Sequence, residues 1–424
     1  MGFLGTPSEE PAPAPRLPTA TPSEKPTPGL PPPKGPVDQP RRRRPCVLLS
    51  FAAARDRFLR GRFLSAGLRP FSVRLPSPAG TSTVVHLWAP PRPVRRPVLL
   101  LHGFGASATW QWAPYLRSLL AAGLDPIVPD LLFFGASSST VPDRSDTFQA
   151  RTVKAAMDGM GVRRFAVVGV SYGGFVGYRM AAMYPDAVER VVLVSSGVCL
   201  EEGDLAAGLF PVADVGEAAE LLVPRRPAEV RRLVKLTFVR PPPIMPSCFL
   251  KDYINVMGSD HLQEKTELLH ALINDRKLSD LPKINQVAYI SLFNCKQLLK
   301  PWITDGILFL AQLRMQPTLI IWGEQDQVFP MELAHRLERS VWCFIPSDYK
   351  WQGDVSSTHY LLLNFNYYIL RHLGENSRLV VVKNAGHAAN LEKSKEVCKS
   401  IIDFFQEPAP SASIGGKSYI KEKQ

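Results

Sequence analysis

The chain has 424 residues and is 45% hydrophobic, enough for one large or two medium domains around a substantial core. Its six cysteines (Cys46, Cys199, Cys248, Cys295, Cys343, Cys398) lie far apart, which counts against a disulfide framework or a zinc site and suits a reducing compartment, here the cytoplasm. The net charge of +12 is local: thirteen arginines and one acid, Asp56, fall between Arg41 and Arg96, so the rest of the chain is near neutral and a nucleic-acid-binding surface is not expected.

Residues 1–45 are rich in proline and poor in apolar side chains, and are expected to be disordered. Met1–Pro40 lacks the apolar core of a secretory signal, and Glu9, Glu10, Glu24 and Asp38 count against a transit peptide. No apolar run reaches the ~20 residues of a membrane-spanning helix. The Arg-rich stretch 41–69 carries Phe51, Ala54 and Phe58 at helical spacing among Arg55, Arg57, Arg60 and Arg62. Two readings stand for it: a basic helix lying on an anionic membrane, or a solvated helix on the flank of the domain.

From there strand and helix signals alternate. Phe71–Leu75 and Thr83–Trp88 read as a hairpin, and Pro97–Leu101 as a strand buried on both faces. The latter runs into His102-Gly-Phe-Gly and a helix. Asp125–Asp130 is the next strand, Phe148–Met160 a helix, Phe165–Val170 a strand, Phe175–Met183 a helix and Val188–Ser195 a strand. Such alternation predicts a mostly parallel sheet of eight strands with helices on both faces. Residues 46–199 and 284–407 are expected to form its two halves. Between them 200–283 shows helical pieces broken by proline, and reads as an inserted helical lid. Residues 408–424 read as a loose tail.

Two stretches interrupt otherwise clean elements: 286–316, and 340–371, which cuts a helix beginning at Met331. Deleting the second places Leu333, Leu337 and Leu373 on one helical face with Gly374 as cap. Both are expected to be translated introns rather than lid elaborations, to be tested by transcript sequencing.

The chemistry centres on Gly169-Val-Ser171-Tyr-Gly173, between a strand signal and a helix signal. This spacing makes a sharp turn that lifts a serine hydroxyl to the end of the sheet. A serine needs a base, and the base an orienting acid. Both should stand at later strand ends. Asp326 follows the strand ending at Trp322, and His387 follows the one ending at Lys383. Glu324 is the fallback acid in the same loop. Asp130 reads as a turn-stabilising group and His102 as a holder of its own loop. The backbone N–H groups of Tyr172 and Phe104 are the candidate oxyanion donors.

With these residues in order, the chain resembles the α/β-hydrolase superfamily. His102-Gly-Phe-Gly, Gly-Val-Ser171-Tyr-Gly-Gly, Gly323-Glu-Gln-Asp326 and Ala-Gly-His387 match its oxyanion, nucleophile, acid and histidine motifs. Pro129–Gly135 and Met183–Asp186 are similar to a plant group of lid-bearing hydrolases related to monoacylglycerol lipases and carbon–carbon bond hydrolases. The resemblance implies hydrolysis of a lipid or small acyl ester without cofactor or metal. It leaves two alternatives: carbon–carbon bond hydrolysis with the same triad, or a ligand-binding or impaired form on the same fold.

Overall fold

The computed structural model describes residues 50–92, 95–282, 284, 316–341 and 377–408, all within the unit spanning 48–424. The Pro-rich 1–45, nearly all of 286–316 and 340–371, and the tail after Pro408 lie outside the described residues, and so do the expectations attached to them.

The chain begins with helix α1 (Phe51–Ser65), capped by the Ser50 hydroxyl, which accepts from the Ala53 N–H at 3.0 Å. Its packed face is Ala52, Leu59 and Phe63, with Phe63 edge-on to Trp88 at 5.3 Å. The stripe singled out in the sequence faces the other way, with Phe51 72% and Phe58 65% exposed. The helix is therefore packed on the flank of the domain and turns a surface of Phe and Arg outward. No described helix is long and apolar enough to cross a membrane.

Strands β1 (Arg69–Leu75) and β2 (Thr83–Ala89) form the expected antiparallel hairpin, in register Val73 with Val85. The sheet then continues through β3 (Arg96–Leu101), β4 (Leu124–Pro129), β6 (Phe165–Val170), β7 (Val188–Val194), β8 (Thr318–Gly323) and β9 (Ser377–Val382). Its order is β1-β2-β4-β3-β6-β7-β8-β9, parallel from β4 onward. Among the described residues it has nine strands rather than the eight expected. The extra one, β5 (Ser138–Ser139), is a two-residue pairing with Thr83 and Val84, too short to carry any periodicity.

The central strands bury both faces, and their side chains alternate between two cores. Leu99, Leu101, Val167, Leu193, Ile320 and Trp322 face one core, with helices α4 (Asp146–Gly159) and α5 (Tyr172–Met183). Val98, Leu100, Val168, Val192, Leu319 and Ile321 face the other, with α2 (Ala108–Trp112), α3 (Leu116–Ala121) and the C-terminal helix. This two-sided burial fixes register strongly, because a slip of one residue would exchange the two cores.

Between β7 and β8 the described residues form no strand. They form α6 (Glu202–Ala206), α7 (Val215–Leu222), α8 (Pro227–Thr237), α9 (Ser247–Tyr253) with a π-helical turn after it, and α10 (Leu262–Ile273). After β8 come α11 (Met331–Val341), then β9, α12 (Ala389–Glu392) and α13 (Ser394–Gln406).

Candidate active site

Ser171 stands between β6 and α5 with φ 50° and ψ −118°, a conformation that costs an L-residue about 1–3 kcal/mol. Its surroundings hold it there. The Ser171 N–H donates to the Val194 carbonyl at 2.9 Å, and the Ser196 hydroxyl donates to the Ser171 carbonyl at 2.8 Å. Strand and helix cross so closely that a Cβ on Gly169 would lie 2.3 Å from the Gly173 carbonyl oxygen. The small residues of the motif are thus required by the approach of the two elements.

Asp326 and His387 come from the loops after β8 and β9. These loops touch through glycine as well: a Cβ on Gly323 would lie 2.1 Å from the Gly386 carbonyl oxygen. The Asp326 carboxylate accepts from the N–H groups of Val328 and Phe329 through Oδ1, at 2.9 and 2.8 Å. Its Oδ2 lies 2.9 Å from His387 Nδ1. His387 Nε2 lies 3.0 Å from Ser171 Oγ. An ionised carboxylate only accepts, so Nδ1 carries the proton and Nε2 presents its lone pair to the serine. The Phe329 ring stands edge-on to the imidazole at 5.2 Å between centroids. The three residues named from their strand-end positions are therefore joined in one line of hydrogen bonds.

The remaining candidates sit elsewhere. Glu324 accepts from the Asn384 N–H at 3.1 Å, in an exposed position that fastens the two loops together. Asp130 is buried against His86 Nδ1 (3.1 Å) and the Ala108 N–H (2.9 Å), away from the serine. Burial alone would raise its pKa. The hydrogen bonds from His86 and the Ala108 N–H together outweigh that and hold it below the ordinary value. His102 is fully buried, which lowers its pKa and keeps the ring neutral. Its Nε2 accepts from the Leu131 N–H at 3.0 Å, and Nδ1 donates to the Gly103 carbonyl at 2.8 Å. His102 is thus a brace for its loop.

That loop lies directly over the serine: a Cβ on Gly103 would approach Ser171 Cβ to 3.3 Å. The Phe104 N–H makes no hydrogen bond among the described residues, and the Tyr172 N–H opens a helix, where donors lack an intrahelical partner. Gln111, unnoticed in the sequence, fixes the loop by accepting the Gly103 N–H at 2.7 Å. Glu392 was missed too. It accepts from the Gly386 N–H (2.8 Å) beside His387 and from the Val239 N–H (3.0 Å) in the segment between β7 and β8. Neither had a local signal, since a carboxamide or carboxylate serving a distant backbone leaves no spacing pattern.

Ser171 and His387 line a cavity of about 650 Å³ roofed by the segment between β7 and β8, with Leu221, Leu233, Met245 and Leu269 among its walls. Its volume is within the range of small-molecule sites. Among the described residues no group of three His, Cys, Asp or Glu side chains is placed to hold a metal ion.

This geometry can be set beside known proteins. The family model described as the alpha/beta hydrolase fold matches residues 96–241, from β3 through the serine turn into the helices that follow β7. The chain has the α/β-hydrolase fold. A crystallised esterase from Exiguobacterium antarcticum superposes on this chain with a TM-score of 0.52, covering 80% of this chain and 100% of that one at 15% identity. A putative lipase from Acinetobacter baumannii gives 0.50, covering 82% and 95% at 21% identity. At such identities the likeness is one of fold. Among curated relatives, an uncharacterized protein of Mycobacterium tuberculosis is 28% identical over 245 residues, 56% of this chain and 64% of that protein. The match thus spans 64% of that relative's length. The 2-hydroxy-6-oxo-6-phenylhexa-2,4-dienoate hydrolase of Comamonas testosteroni is 25% identical over 317 residues, covering 73% of this chain and 87% of that enzyme.

Proposed function

We propose that this α/β hydrolase is a serine hydrolase that cleaves carboxylic esters of small acyl groups or lipids. The observation that carries the reading is the line of hydrogen bonds from Ser171 Oγ through His387 to Asp326, opening on an apolar cavity. In this reading His387 Nε2 takes the Ser171 proton as Oγ attacks the ester carbonyl. Asp326 holds the ring in the required tautomer and stabilises the imidazolium that forms. The Phe104 and Tyr172 N–H groups receive the developing oxyanion. His387 returns the proton to the leaving alcohol and then activates a water that hydrolyses the acyl-enzyme. No cofactor enters.

A fluorophosphonate probe tests this directly. The wild-type chain should label covalently and Ser171→Ala should not; equal labelling of both, or of neither, overturns the proposal. A second reading, carbon–carbon bond hydrolysis with the same three residues, is favoured by the relatives named as dienoate hydrolases. Turnover of a ring-cleavage diketone in preference to monoacylglycerols and p-nitrophenyl esters would select it.

A further inference from the structure

Among the described residues, the cavity wall contains no Asp or Glu side chain, yet it contains two cations, Arg55 and Lys265. Arg55 is exposed on α1, over the Trp110 ring at 5.3 Å. Lys265 is only 6% exposed. It occupies the buried stripe of α10 with Leu268, Leu269 and Leu272, where a leucine or methionine would be the ordinary choice. Its ammonium lies 5.4 Å from the Phe134 ring centroid and makes no hydrogen bond or ion pair with a described residue. Asp260 and Glu264 act on it only through space, and burial lowers its pKa despite them. Phe134 stands 5.1 Å from Phe104, and Phe104 stands 5.6 Å from Tyr172, the neighbour of Ser171. A row of three aromatic rings thus runs from Tyr172, next in sequence to Ser171, to the lysine.

A cation in an apolar wall is costly unless it is paired, and one aromatic face offsets only part of that cost. A ligand that brings its own anion would complete the pair. We propose that Lys265 is the anion-binding group of this cavity, and that the substrate is an ester carrying a carboxylate several carbons away from its scissile carbonyl. The proposal rests on the hydrolase reading for the word ester, but the anion site itself does not. An anion placed there gains a charge-assisted hydrogen bond in a poorly solvated site, where such bonds are strongest. The neutral methyl-terminated analogue would leave the ammonium unpaired.

The test compares p-nitrophenyl hexanoate with the p-nitrophenyl half-ester of adipic acid, which differs by the terminal carboxylate. For the wild type, kcat/KM should favour the adipate. In Lys265→Met the adipate-to-hexanoate ratio should fall about 10- to 100-fold, the range for a hydrogen bond to a charged group. Lys265→Arg should keep most of it. A ratio unchanged in Lys265→Met overturns the anion site while leaving the hydrolase reading intact. A second measurement needs no turnover. In the Ser171→Ala background, the monomethyl adipate anion should raise Tm more than methyl hexanoate does, and Lys265→Met should abolish the difference. If that difference is present but no Ser171-dependent hydrolysis occurs, the anion site stands and the ester reading falls. If the difference is absent, the anion site is refuted.

Discussion

The sheet and the helical segment above it hold their residues in different ways. In β3, β6, β7 and β8 side chains alternate between two cores, and the loops beyond them meet at glycines with no room for a methyl group. The segment from Glu202 to Ile273 consists of short helices with one packed face, tied by exposed pairs such as Arg232–Glu217 and Arg226–Glu229. Its charged anchors sit at its ends. Arg276 is half-buried on the Phe175 ring at 4.9 Å and donates to the Val198 carbonyl at 2.8 Å. Positional accuracy is therefore concentrated under the serine. The wall of the cavity is built from elements that can exchange side chains at small cost.

Substitutions can break this contrast. The largest effect is expected for Asp326→Asn, which offers His387 an amide instead of an acceptor-only group. By analogy with acid-to-amide changes in other triads, kcat/KM should fall about 10⁴-fold with Tm nearly unchanged. Steady-state kinetics beside a thermal melt decides it, and a loss under tenfold would remove Asp326 from its proposed role. Gly323→Ala should destabilise by about 2 kcal/mol or more, because its methyl would meet the Gly386 carbonyl, and should displace His387 as it does so. A urea midpoint equal to wild type would contradict the close approach.

Asp130 supplies a pH-dependent prediction on the sheet side. Its folded pKa lies below the unfolded value, so the stability it contributes is present above the unfolded pKa of about 4 and is lost as pH falls through the folded pKa. Asp130→Asn should be less stable by about 1–3 kcal/mol at pH 7, with the gap to wild type closing as the solution is acidified. Parallel denaturation curves at pH 7 and pH 3 with a constant gap would refute it.

Glu392→Gln probes the seam between the two regions. It weakens the grip on the Gly386 and Val239 N–H groups, and a loss of about tenfold in kcat/KM is expected, the scale of one charge-assisted hydrogen bond. Unaltered kinetics would show that the seam does not position His387. Smallest of all, Arg232→Ala removes an exposed pair and should leave Tm and kcat/KM at wild-type values. A clear drop in either would mean that the upper segment is as tightly specified as the sheet.

The same contrast governs how much of the fold and site is legible in the sequence. Val98–Leu101 and Leu319–Trp322 are continuous apolar runs because both faces are buried, and such runs are legible. Ser171 was nameable because it follows the buried run Phe165–Val170, Asp326 because it stands just beyond Leu319–Trp322, and His387 because it stands just beyond β9. Lys265 was not, although its place among Leu268, Leu269 and Leu272 is a signal: a lysine inside a buried stripe deserves a question. On α1 the sequence singled out Phe51, Ala54 and Phe58 at helical spacing. The choice went to Ala52, Leu59 and Phe63, because Trp88 and the edge of the sheet lie on that side. Partnership across the sequence, not composition, decided it.

Helix α1 also sets a condition on assembly. Its Ala52 N–H donates to Asp252 at 2.9 Å, and Asp56 accepts the Trp110 indole N–H at 3.1 Å. One of these partners lies 200 residues further along the chain. During synthesis α1 leaves the ribosome well before α9 exists, so its docking against α9 must await the roof of the cavity. A polypeptide beginning at Arg69 would retain every strand of the sheet, yet it would lose the brace between the edge of the sheet and the roof. Trimming the chain for convenience at its amino end would therefore alter the pocket.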